Sequence, residues 1–146
     1  MTIATQDKLQ YNWAHIIALA GVHIGALFAL LPANFNWTAV GLTVFMHWIT
    51  GGLGITLGWH RLLTHRSFET PKWLEYFLVF CGALACQGGV IHWVGLHRLH
   101  HSHSDESALD PHNAQEGFWW SHMGWMFYKG TSHDEIPRCT KDISSD

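Results

Sequence analysis

The sequence predicts an all-α integral membrane protein, with an N-terminal transmembrane helical hairpin and then interfacial and cytosolic helices carrying two histidine boxes. Three observations support this class. Only 13% of the 146 residues are charged and 48% are hydrophobic, whereas an ordinary soluble domain carries about 25% charge. Two long runs hold no charged residue. Several of the 13 histidines crowd into two short motifs just beyond apolar segments.

Residues 1–12 form a polar head without the basic start and cleavage site of a secretory signal. Trp13 to Leu31 is the first uncharged run. At 1.5 Å per residue it approaches the roughly 30 Å bilayer core. Pro32-Ala33-Asn34 ends it, and a short uncharged loop leads to the second run, Thr38 to Gly58. Gly21-x3-Gly25 and Gly54-x3-Gly58 offer small faces for close helix contact. Loop 32–37 has no Lys or Arg, while Arg61, Arg66 and Lys72 follow the second run. The positive-inside rule therefore places the N-terminus and the histidine boxes on the cytoplasmic side.

A third uncharged stretch, Tyr76 to Leu96, contains Gly82, Gln87, Gly88, Gly89 and His92. The two boxes lie at its opposite ends, so a single crossing would part them by the bilayer. It is expected to be an interfacial or re-entrant helical segment broken near Gly88-Gly89. The region 97–146 is then cytosolic, all within a single partial domain, 1–146. Its aromatic patch, Phe118-Trp119-Trp120 to Trp125-Met126-Phe127-Tyr128, suits a lipid–water interface. The polar stretch from Lys129 onward reads as a loosely held tail. A net charge of -3 argues against a nucleic-acid partner. Three cysteines without a Cys-x2-Cys pair read as free thiols.

The chemistry lies in the histidines. His97, His100 and His101 follow i, i+3, i+4 spacing and share one helical face. His60 and His65 are five apart, so a regular helix would not bring both to one ion. They would serve two ions, or the helix would end between them. Imidazole suits Zn, Cu, Fe and Ni. Five box histidines without a cysteine exceed a structural zinc site, and iron can draw from O2 an oxidant able to attack an acyl C–H bond. His15, His23, His47, His92, His103, His112, His122 and His133 read as ordinary surface or core residues. Asp105, Asp110 and Asn113 are candidates to orient the ligating rings.

The segments HRLLTHRSF (60–68) and HRLHH (97–101) resemble the first two boxes of membrane fatty-acid desaturases of the stearoyl-CoA type. DPHNAQEGFWWSHMGW (110–125) is similar to the stretch that follows the second box. Residues 49–68 and 70–89 are closer still to the cyanobacterial acyl-lipid Δ9 branch. The resemblance runs from about residue 12 to 143. It implies a di-iron centre ligated by His60, His65, His97, His100 and His101, with Trp93 beside the acyl chain. It further implies O2, two electrons from ferredoxin, and a cis Δ9 double bond placed in a saturated acyl chain. In the animal acyl-CoA enzymes an Arg-Asp pair that helps hold the CoA head precedes the second box. Gly95-Leu96 stand there in this sequence, favouring an acyl group on a membrane lipid. The family's third box and second hairpin do not occur within these residues, so the chain is expected to be an N-terminal fragment, inactive alone. A related membrane lipid hydroxylase, and a haem electron carrier using His15, His23 and His47, are the alternatives.

Overall fold

The computed structural model describes residues 10–104, 106, 110–129 and 135–144. Among them the fold is helical, with one isolated antiparallel bridge between Tyr11 and Tyr128 and no named strand. The chain divides into two compact units. The described residues of the first are 10–37 and 100–129, and those of the second are 38–99 and 135–144.

The first unit starts with α1, Trp13–Ala29, whose N-terminus is capped by the Asn12 side chain accepting from the His15 amide. A 3-10 turn at Pro32–Asn34 follows it. No α1 side chain is buried, and Ile17 and Val22 are 68% and 69% exposed. An apolar helix uncovered on all sides is suited to lipid. The backbone just before α1 pairs with the aromatic patch. The Asn12 amide donates to the Phe127 carbonyl at 2.7 Å, and the Lys129 amide donates to the Gln10 carbonyl at 2.8 Å. The rings of Tyr11 and Tyr128 stack at 5.2 Å. The patch itself is a short helix, α5 (Phe118–His122), and a 3-10 turn, Gly124–Phe127.

The second unit is built on one long helix, α2, Trp37–Thr64, all of which but Trp37 lies in it. It is α-helical to His47 and continues from Trp48 with i→i+5 hydrogen bonds, a π winding. This is the one described helix long and apolar enough to cross a membrane, α1 being apolar but shorter. The second uncharged run therefore does not stop at Gly58. The helix carries on through the first histidine box, because Trp59, Leu62 and Thr64 are buried and keep the last turns packed.

Helix α3, Lys72–Ala83, runs antiparallel to the π segment, with Gly82 against Gly54 and Leu78 against Gly58. A Cβ on Gly58 would stand 2.9 Å from the Leu78 carbonyl oxygen, and one on Gly54 would overlap the Gly82 backbone. The small face expected at Gly54-x3-Gly58 is thus a helix contact, and its partner is α3. Open space surrounds Gly21 and Gly25 among the described residues. Trp59, 1% exposed, lies on Gly82 and donates its indole N–H to the Val79 carbonyl at 3.1 Å. The chain breaks after α3, where Cys86 (φ 55°) and Gly88 (φ 91°) adopt left-handed backbone, as the sequence around Gly88-Gly89 leads one to expect. Helix α4, Val90–Ser102, then carries the second box.

The expected loose tail is corrected. Within its described part, residues 135–144, helix α6 (Ile136–Cys139) packs on α4. A Cβ on Gly95 would meet Ile136 Cγ2 at 2.7 Å and Thr140 Cγ2 at 3.1 Å. Ile136 and Thr140 are buried, and polarity averaged along the tail hides these two contacts.

Gly54→Val should lower the stability of the detergent-solubilised protein by about 1–3 kcal/mol or more, the usual cost of overpacking. Gly21→Ala and Gly25→Ala should be neutral or slightly stabilising, since Ala is the better helix former. Thermal unfolding followed by circular dichroism measures both.

Candidate metal centre

The π winding decides the geometry of the first box. With i→i+5 bonding, residue i+5 stands over residue i rather than well round the helix. The His65 amide donates to the His60 carbonyl at 3.1 Å, closing the last such turn. The two side chains therefore meet, with Nε2 to Nε2 of 3.1 Å and rings perpendicular at 4.6 Å. Two imidazoles bound at right angles to one first-row ion, with bonds of about 2.0–2.1 Å, would have their nitrogens about 3 Å apart. The regular helix that would part His60 from His65 is not the one formed: the winding is π, and the helix ends between the two residues, at Thr64, one of the alternatives the spacing leaves open.

His97, on α4, joins this pair. Its ring centroid lies 4.7 Å from that of His60 and 5.5 Å from that of His65. Ring nitrogens of the three histidines lie within 4.8 Å of one another. His101 continues the His97 face one turn along α4. Trp93, one turn before His97, stacks on its ring at 5.1 Å and meets Trp59 edge-on at 5.9 Å. Its indole N–H donates to Gln87 Oε1 at 3.0 Å. Together Trp59 and Trp93 form an apolar wall beside the histidines.

A second group lies in the first unit. His100 Nδ1 is 2.9 Å from Oδ1 of Asp110, whose side chain is buried. His112 lies 3.9 Å from the same oxygen, its ring 4.1 Å from that of His100 and 5.4 Å from Trp125. Burial, and then neighbouring His100, push the His112 pKa below its ordinary value, so the ring stays neutral to lower pH. A carboxylate that holds one ring nitrogen of a histidine fixes the orientation of its ring, the usual support of a ligating histidine. Of the orienting residues suggested by the sequence, Asp110 touches a box histidine. Asn113 instead accepts from the Gln115 amide at 2.7 Å, and Asp105 and His133 lie outside the described residues. His15, His23, His103 and His122 contact Asn12, the Leu19 carbonyl, Glu106 and Phe118 respectively.

The residues fit a transition metal with nitrogen ligands. Neither group includes a cysteine, and a set of imidazoles supported by a buried carboxylate suits iron among other ions.

Sequence reasoning passes over Arg98, the least expected part of the site. Its Nε donates to the Thr64 carbonyl at 3.2 Å, and one terminal nitrogen donates to the Leu63 carbonyl at 2.7 Å. The other reaches the Cys139 carbonyl and Asp142 Oδ1, each at 2.7 Å. Asp142 also pairs with Arg66 at 2.6 Å. The only signal in the sequence is an arginine inside a histidine box, which by itself looks like a solvated charge.

No family model matches the chain. Among characterised proteins, it is 64% identical over its whole length to the sn-1 stearoyl-lipid 9-desaturase of Anabaena variabilis. It is 54% identical over 97% of its length to the protein of the same name from Synechocystis sp. (strain ATCC 27184 / PCC 6803 / Kazusa). It is also 54% identical over 82% of its length to the sn-2 palmitoyl-lipid 9-desaturase of Nostoc sp. (strain 36). The chain belongs to the acyl-lipid desaturase family. It spans about half the length of the curated relatives it matches, 53% of the Anabaena protein and 44% of the Synechocystis protein.

In this desaturase-family chain the Arg98 hydrogen bond, foremost among several contacts, holds the Asp142 carboxyl at about 2 against an ordinary 3.8. A carboxyl depressed on folding contributes stability above its unfolded pKa, and loses it as pH falls through the folded one. The Arg98–Asp142 contribution should therefore be complete above pH 3.8 and lost between there and about pH 2. Comparing the pH dependence of unfolding in the parent and Asp142→Asn isolates it: the variant should lack that component of acid sensitivity.

Proposed function

We propose that this chain forms part of a membrane desaturase. The protein would insert a cis Δ9 double bond into a saturated acyl chain of a membrane lipid, at a di-iron centre ligated by His60, His65, His97, His100 and His101. The observation that carries this reading is the meeting of His60, His65 and His97 at the end of a helix apolar enough to span a bilayer. The names of the relatives point to the same reaction and to lipid-borne acyl groups.

Bound iron would supply the activation of O2 that C–H removal needs. Overall, the acyl chain loses two hydrogens and O2 becomes two waters, with two further electrons and two protons drawn from outside. Ferredoxin is the proposed electron donor. The chain's own residues bind, orient and exclude water. His60, His65 and His97 bring ring nitrogens to one place. Asp110 fixes the orientation of the His100 ring through Nδ1. Trp93 and Trp59 wall the site with apolar surface, and an acyl chain, which has no polar handle, would be positioned by such a wall.

Gly95-Leu96, in place of an Arg-Asp pair, supports a lipid substrate over acyl-CoA. Where the acyl-CoA branch carries an Arg-Asp pair, this chain needs a hydrogen at residue 95 to seat Ile136 and Thr140. In the proposed topology α1 and the first part of α2 form the membrane hairpin. The uncharged 32–37 loop lies outside, and the N-terminus and both boxes lie in the cytoplasm. Segments α3 and α4 stay on that side without crossing.

The test is the lipid profile of a host without Δ9 unsaturation, transformed with the complete gene that encodes this chain. Gas chromatography should show a 9-cis-alkene, and purified protein should carry iron. His97→Ala should abolish both, a greater loss than the roughly 10- to 100-fold cost of removing a ligand's supporting partner. A hydroxylated product, or an iron content unchanged in His97→Ala, would overturn the reading.

A further inference from the structure

We infer that Arg98, anchored by Asp142, is the positioning residue that holds the two histidine boxes in register. This rests on the metal-site reading above and assigns a device outside the ligand set. The last carbonyls of a helix have no partner within it. On α2 two of these, Leu63 and Thr64, are taken by the Arg98 guanidinium. Arg98 itself sits on α4 directly after His97. One side chain thus ties the end of the first box to the middle of the second.

The same guanidinium is held from behind. Asp142 and the Cys139 carbonyl fix its far side. Asp142 also takes Arg66, which has the left-handed backbone (φ 48°) that ends the box turn. His65 therefore lies between two residues, Thr64 and Arg66, that are both tied to the Arg98–Asp142 pair. A planar fork with five donors can serve three carbonyls and a carboxylate at once. A lysine ammonium in its place has three donors clustered at one point and cannot span them. The Arg98 side chain is 20% exposed, so water replaces these bonds poorly. Loosening the clamp would let His65 drift from His97, and ligand sets tolerate little displacement.

Two readouts on the full chain in detergent test this. The first needs no metal. Arg98→Lys should speed amide hydrogen exchange in residues 60–67 and leave residues 13–29 unchanged. The second is Co2+ titration. Arg98→Lys should bind at least about tenfold more weakly, in the range seen when a ligand's support is lost, with an altered ligand-field spectrum and unchanged far-ultraviolet circular dichroism. Asp142→Asn should move both readouts the same way by less. If Arg98→Lys loses helical signal, Asp142→Asn decides: unchanged exchange in 60–67 overturns the inference. Parental exchange and parental Co2+ affinity in a folded Arg98→Lys overturn it too. Should the parent bind no Co2+, the metal reading fails, while the exchange experiment still judges the clamp.

Discussion

The site depends on the i→i+5 winding of the second half of α2. Five residues separate His60 from His65, and in an α-helix that spacing would splay them round the cylinder. The wider winding stacks them, and their nitrogens come within 3.1 Å. Such windings are rare, and they cluster at functional positions because something else must stabilise them. Here the helix end has two external supports. On one side the π segment lies against α3, with glycine facing glycine and Trp59 filling the space beside them. At its end, the Arg98 guanidinium takes carbonyls the winding leaves open.

These supports link distant parts of the sequence. Trp59 neighbours a histidine of the first box, packs on Gly82 and meets Trp93, which stacks on His97 of the second box. Arg98 reaches from the second box to the first and to residues 139 and 142. Asp110, ten residues beyond His100, returns to orient its ring. His97 is thus stacked on an indole, and His100 is held by a carboxylate.

Much of this was legible in the sequence. Uncharged runs gave the helical class, and glycines gave both the break before α4 and the close face at Gly54-x3-Gly58. The spacing of His97, His100 and His101 put them on one helix. The rest was hidden for physical reasons. Helical periodicity cannot announce a π winding, since the same residues would form an α-helix with different neighbours. Arg98 looks like a solvated charge until its acceptors are seen. The tail looks loose because its two anchoring contacts, Ile136 and Thr140, are scattered among polar residues.

Gly95 has a consequence for how such sites diversify. Its missing side chain is the seat of α6, and α6 leads directly to the carboxylate that grips Arg98. Any larger residue introduced there would first unseat Ile136 and Thr140. A larger side chain at this position is therefore not reached in a single mutational step. The tail must be remodelled beforehand, and the order of substitutions along such an evolutionary path is set by packing.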